Sequence, residues 1–148
     1  MRLLLQRVTR ASVTVEHEVV GEIGPGLVVL VGVGHGDSEA VAETMAAKTV
    51  DLRVFRDTEG KTNLSLIDVT GEMLAVSQFT LFADTRKGRR PSFIDAAAPE
   101  LGQRLYEEFA KAVEARGVTV ARGVFGAEMK VELVNDGPMT IWLDSAQR

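Results

Sequence analysis

The chain has 148 residues, 45% of them hydrophobic and 26% charged, with a net charge of −4, which is the balance of one globular domain able to bury its own core. It has no cysteine, so disulfides, Cys-ligated zinc and a thiol nucleophile are excluded. No apolar run approaches the ~18 residues of a membrane span, Met1 to Val8 lacks the pattern of a secretory signal, and the acidic balance argues against a general nucleic-acid coat, whose affinity comes from basic residues on phosphates; a soluble cytoplasmic protein is the expectation.

In chain order, Leu3 to Val8 reads as a strand, and Ser12 to Val15 with Val19 to Ile23 as a hairpin around Glu16-His17. Gly24-Pro25-Gly26 is a turn, and Leu27 to Val33 is an apolar run of the length of a buried strand. Gly34-His35-Gly36 breaks it. Asp37 or Ser38 then caps a helix to about Leu52, with Val41, Met45 and Lys48/Thr49 at helical spacing. Arg53 to Phe55 suggests a short strand and Asp57 to Lys61 a turn. Met73 to Phe82 reads as one long extended segment, with Ser77, Phe79 and Leu81 on one face and Gln78, Thr80 and Phe82 on the other. Pro99-Glu100 opens a second helix carrying Leu101, Leu105, Phe109, Ala112 and Val113, and Gly117 stops it. Val118 to Ala121, Met129 to Val134 and Thr140 to Leu143 complete the strands. The expected fold is strand-rich α+β over residues 1–148, a curled or barrel-like sheet with two main helices on one side.

Most familiar chemistries are excluded by what is missing. His17 and His35 both fall in turns, and neither stands in a Ser-His-Asp order. There is no HExxH or other paired histidine ligand set, so no metal is expected. Gly32-Val33-Gly34-His35-Gly36 lacks the third glycine of a dinucleotide fingerprint and the lysine of a P-loop, and is better read as a strand-to-helix turn. Two segments remain. Ser77-Gln78-Phe79-Thr80-Leu81 puts polar side chains into an otherwise apolar strand, where each needs a hydrogen-bond partner or a use; a wet edge strand is the alternative. Asn135-Asp136-Gly137-Pro138-Met139-Thr140 is turn chemistry between two strands, and a Gly-Pro bond takes the cis form at a cost of only about 0.5–1 kcal/mol.

Together these two segments resemble the signature of the D-aminoacyl-tRNA deacylase family. Gln6-Arg7-Val8 with Ala11-Ser12-Val13, Arg90-Pro91-Ser92-Phe93, Phe125-Gly126-Ala127 and Met129-Lys130-Val131 extend the resemblance over essentially the whole chain. It implies a homodimer with active sites at the subunit interface and no cofactor. Each site would combine Ser77, Gln78, Phe79 and Thr80 of one chain with Gly137 and Pro138 of the other. The substrate would be aminoacyl-tRNA, held by its acceptor end. Thr80 is the family's usual candidate nucleophile, but no histidine or lysine in the motif could activate it; backbone N–H groups near Phe79 and Thr80, helped by the ribose 2′-OH, are the preferred catalysts. Arg7 is expected to pin the partner's Gly-Pro and Met129 to pack beneath it, although a surface arginine and a core methionine are the plainer readings of each. Phe79 and Phe125 are candidates for stacking the terminal adenosine, and Lys87, Arg89 and Arg90 for touching acceptor-stem phosphates. An L-specific editing domain of the kind appended to archaeal threonyl-tRNA synthetases, and a non-enzymatic binding module, are the rival readings.

Overall fold

Strand β1 (Arg2–Val15) is the spine of the sheet in a computed structural model that describes residues 1–147. On one edge it pairs antiparallel with β3 (Gly26–Gly32) through residues 2–8 and with β2 (Glu18–Ile23) through residues 11–15. Its other edge is taken by β8 (Lys130–Asp144). The sequence suggests two strands, Leu3 to Val8 and Ser12 to Val15, but the chain between them continues as one strand, with an irregularity at Thr9 and Arg10 opposite Val134. The expected hairpin is present. Glu16 and His17 both have positive φ, 48° and 69°, which gives a two-residue turn the twist its flanking strands need.

β3 runs parallel to β6 (Glu72–Ser77), and β6 parallel to β7 (Val120–Arg122). The order is β2-β1-β3-β6-β7, with β8 on the free edge of β1. The sheet curls into a nearly closed barrel, and Gly21 of β2 lies against Arg122 of β7, where a Cβ would stand 2.7 Å from the Arg122 carbonyl oxygen. β4 (Phe55–Arg56) and β5 (Thr62–Leu64) form a small separate ribbon; β5 was not anticipated, and β4 begins where the expected Arg53 to Phe55 strand ends.

Two helices cover one face. α1 (Glu39–Asp51) starts at Ser38, whose Oγ accepts from the Val41 N–H at 3.3 Å, and α2 (Pro99–Glu114) starts with proline in its first turn, where its missing N–H costs nothing. Leu3, Leu5, Leu27, Val29, Val31, Met73 and Ala75 meet the helices, while Val13, Val28, Leu74 and Val76 fill the inside of the curl. β3 and β6 are therefore buried on both faces, which is why they read as unbroken apolar runs. Tyr106 of α2 ties the layers together: its hydroxyl donates to the Ala75 carbonyl at 2.8 Å, and burial pushes its pKa up to about 12. Because the Gly123 N–H also donates to that carbonyl, Tyr106→Phe leaves no orphaned acceptor, and its expected cost is about 1 kcal/mol, read as a lower urea midpoint at unchanged slope.

Two extended segments are corrected. Met73 to Phe82 is not one strand: β6 stops at Ser77 and the chain turns into a 3-10 turn, Phe79–Phe82. Asn135 to Thr140 is not a hairpin turn, because both flanking segments run in the same direction against β1 as parts of β8. Thr140 faces Gln6 and Asn135 faces Val8, so the residues between them loop out of a single strand as a large bulge.

Candidate active site

The site is built where β6 ends. The Gln78 N–H makes the last bond to β3, to the Val31 carbonyl at 2.8 Å. The 79–82 turn then closes through Leu81 N–H to Gln78 O at 3.2 Å and Ala83 N–H to Thr80 O at 3.0 Å. It can fold down here because the neighbouring end of β3 is flat. A Cβ on Gly32 would lie 3.0 Å from both the Gln78 oxygen and the Leu81 Cβ, and one on Gly34 would lie 2.8 Å from the Phe82 ring. The glycine-rich segment is thus the seat of the turn. As at the start of any helical turn, the first N–H groups have no carbonyl behind them; among the described residues, those of Phe79 and Thr80 have no hydrogen-bond partner.

The side chains of the turn are wet. Gln78 Nε2 donates to Thr80 Oγ1, so the hydroxyl receives a proton donor and not a base. Ser77 and Gln78 are half-buried and Thr80 is exposed. Phe79 is 57% exposed and meets Phe93 edge-on, ring centroids 5.1 Å apart.

Ser77, Gln78 and Phe79 border a cavity of about 550 Å³ whose other walls include Val33, Phe93, Ala97, Phe125, Ala127 and Met129. The structure therefore gathers Ser77, Gln78, Phe79, Phe125 and Met129, five of the residues singled out in the sequence, around one mostly apolar hollow. Phe125 faces both ways, since it also packs on the helix-side core and tilts against Tyr106 at 6.3 Å. Phe93, Ala96 and Ala97 were missed as site residues; the Ala96-Ala97-Ala98 run before α2 was the available signal, as small residues leave room beside a cavity.

Gly137 and Pro138 do not line this hollow in their own chain. They form an exposed corner on the β8 bulge, joined by a cis peptide bond. Asn135 closes its base, with Nδ2 donating to the Arg7 carbonyl at 2.8 Å and the Met139 carbonyl at 3.1 Å. Arg7 is not a surface residue. It is 2% exposed, donates to the Val54 carbonyl and to its own chain's Asp136 carbonyl at 3.2 Å, and pairs with the Asp136 carboxylate at 3.0 Å. Arg56 reaches the same carboxylate from outside at 3.3 Å. The burial has a simple origin: the chain just before β4 brings the Val54 carbonyl within reach of Arg7, and an arginine fork is long enough to join it to the bulge.

Lys87, Arg89 and Arg90 stand exposed on the loop after the turn and do not border the cavity. The loop is pinned at its start, where the Arg86 side chain and then its N–H hydrogen-bond Asp84 and hold that carboxyl down at about 2. Because that value lies below the ordinary 3.8, the contact is present above the ordinary carboxylate range and is lost only as pH falls through about 2. Among the described residues no group of three or more His, Asp or Glu side chains is placed to hold a metal ion, and no helix is long and apolar enough to cross a membrane.

The family model for D-Tyr-tRNA(Tyr) deacylase matches residues 4–144. A D-aminoacyl-tRNA deacylase of Thermomicrobium roseum is 60% identical over 147 residues, covering 99% of this chain and 96% of the relative. One from Paracoccus denitrificans is 58% identical over 148 residues, covering 100% and 99%. Among solved structures, the c-Myc DNA unwinding element binding protein superposes with a TM-score of 0.91 at 41% identity, over 97% of this chain and 98% of that one. The residues that build the turn, the hollow and the corner thus lie within a match spanning nearly the entire sequence, and the chain belongs to the D-Tyr-tRNA(Tyr) deacylase family, hydrolases that cleave D-aminoacyl-tRNA.

Proposed function

We propose that the chain works as one domain in a homodimer that proofreads handedness, each site combining the 77–81 segment and hollow of one protomer with the Gly137-Pro138 corner of the other. The reading is carried by one observation: the Phe79 and Thr80 N–H groups, unpaired among the described residues, open a turn whose Ser77, Gln78 and Phe79 border the apolar hollow of about 550 Å³. The corner's exposure and its absence from the hollow of its own chain support a cross-subunit site. So do Val131, Val134 and Trp142, large apolar side chains left exposed on the strand that bears the corner.

In this mechanism the substrate carbonyl lies against the turn. Water attacks its carbon, the new C–O bond forms, and negative charge develops on the carbonyl oxygen within reach of the Phe79 and Thr80 N–H groups. Collapse breaks the ester bond, and the departing ribose oxygen takes up a proton; the ribose 2′-OH helps place the water. An aminoacyl ester is already labile, so no metal or cofactor is needed. The main-chain oxygens of Gly137 and Pro138 from the partner accept hydrogen bonds from the substrate α-ammonium, and charge-assisted bonds of this kind are the stronger ones. With ammonium and ester both held, a D side chain points outward and an L side chain meets the wall. Glycine, with no side chain, fits and is cleaved from tRNA as well.

Phe79 and Phe125 offer faces for the terminal adenine. Lys87, Arg89 and Arg90 supply a few phosphate contacts, which makes binding salt-dependent. Charged tRNA is a cytoplasmic substrate, and the enzyme acts there. The reading as a whole is tested by offering D-, L- and glycyl-tRNA side by side. The catalytic part has its own test. Thr80→Ala keeps the backbone N–H and removes the hydroxyl, so the single-turnover rate is expected to stay within about fivefold of wild type; a loss on the order of a thousandfold, as when a true nucleophile or oxyanion donor is deleted, would assign the chemistry to the side chain.

A further inference from the structure

The open end of the 79–82 turn is held by a residue far away in sequence. Arg2 of β1 donates from Nη1 to the Leu81 carbonyl at 3.0 Å and from Nε to the Asp144 carboxylate at 3.1 Å. Its guanidinium lies over the Phe82 ring, 4.4 Å from the centroid, and 5.9 Å from the ring of Trp142. Leu81 is near the C-terminal end of the turn, where carbonyls lack intrahelical donors and a cation is favoured. Phe82 also lies close to Gly34, where a Cβ would stand 2.8 Å from its ring. Arg2 thus grips both the backbone and a ring of the turn while bound to β8.

We propose that Arg2 is a positioning residue for the hydrolysis: it sets the tilt of the turn, and so the aim of the Phe79 and Thr80 N–H groups at the far end. This rests on the backbone-donor reading above. A 3-10 turn of four residues, Phe79–Phe82, has too few internal bonds to hold its own orientation. At the β6 end it is tied by Gln78 N–H to Val31 O. The Arg2 fork supplies the second tie, and two ties define a direction where one does not. Its planar, two-pronged shape matters, because one group must reach Leu81 and Asp144 together. Arg2 also links the turn to β8, the strand that carries the Gly137-Pro138 corner, so both halves of the chain's contribution to catalysis share one anchor.

The test is steady-state and single-turnover hydrolysis of D-Tyr-tRNA by Arg2→Met and Arg2→Lys in the full-length protein, with emission from Trp142, the chain's single tryptophan, as a local probe. Misaimed oxyanion donors lower the rate of chemistry more than substrate affinity. Arg2→Met is expected to lose about tenfold in kcat with KM within about twofold of wild type, and Arg2→Lys, which keeps the cation but not the fork, to fall between the two. If Arg2→Met folds poorly, the soluble Arg2→Lys protein carries the comparison. The proposal is overturned if kcat is unchanged, if KM rises at constant kcat, or if the rate falls only in proportion to the unfolded fraction. It fails separately from the backbone-donor reading, which is lost instead if Thr80→Ala abolishes cleavage by the otherwise intact enzyme.

Discussion

D-tyrosyl-tRNA and glycyl-tRNA are expected to be hydrolysed, and L-tyrosyl-tRNA spared, by a factor of about a thousand or more when all are presented to the enzyme under the same conditions. The size of the effect follows from how the corner is made. In the proposed site an L side chain would have to enter space held by main chain, and backbone yields far less than the tip of a flexible side chain. Every 1.4 kcal/mol of steric cost is worth about tenfold, so a clash on the order of 4 kcal/mol suffices. Selection by exclusion has a signature that selection by recognition lacks: glycine, which has nothing to exclude, passes. Intact glycyl-tRNA alongside cleaved D-tyrosyl-tRNA would mean that the site reads the side chain and that the wall is not the selector. Equal cleavage of the L-substrate would remove proofreading of handedness altogether.

Arg7→Met should have the second large effect, on stability and on catalysis together. Arg7 is 2% exposed, and its guanidinium joins the Val54 carbonyl to the Asp136 carbonyl and carboxylate. Methionine restores much of the volume but none of the donors. Removing one partner of a buried pair typically costs 3–5 kcal/mol. Here the lower end, about 3 kcal/mol, is expected, because the Asp136 carboxylate is 36% exposed and keeps water and Arg56 as partners. The bulge then loses its buried tie and keeps only Asn135 and the exposed Arg56, and a shift of the Gly137-Pro138 corner by an ångström or so costs about a hundredfold in rate. Denaturant unfolding measures the first effect, and single-turnover hydrolysis under conditions where the variant stays folded measures the second. A destabilised protein with wild-type rate and wild-type preference for D over L would show that Arg7 supports the fold and has no part in aiming the corner.

Local chemistry carried much of this structure in the sequence itself. The hairpin at Glu16-His17, the cap at Ser38, the proline start and glycine stop of α2, and the doubly buried run of β3 each depend on neighbours within a few residues, and such signals survive in a linear reading. The polar residues of 77–80 stood out for the same reason: they break an apolar pattern. What the tertiary structure decided involves partners distant along the chain. β6 stops at Ser77 because Gly32 at the end of β3 and Gly34 just beyond it leave room for the turn, which no alternation of side chains announces. The 135–140 segment looks like a hairpin because turn residues have the same chemistry in a bulge; only the pairing of both flanks with β1 tells them apart. Arg7 looks like a surface cation until β4 and β8 close around it. Propensity is local, whereas burial, register and the aim of a hydrogen-bond donor are set by whatever packs against a residue, and that is determined only when the chain has folded.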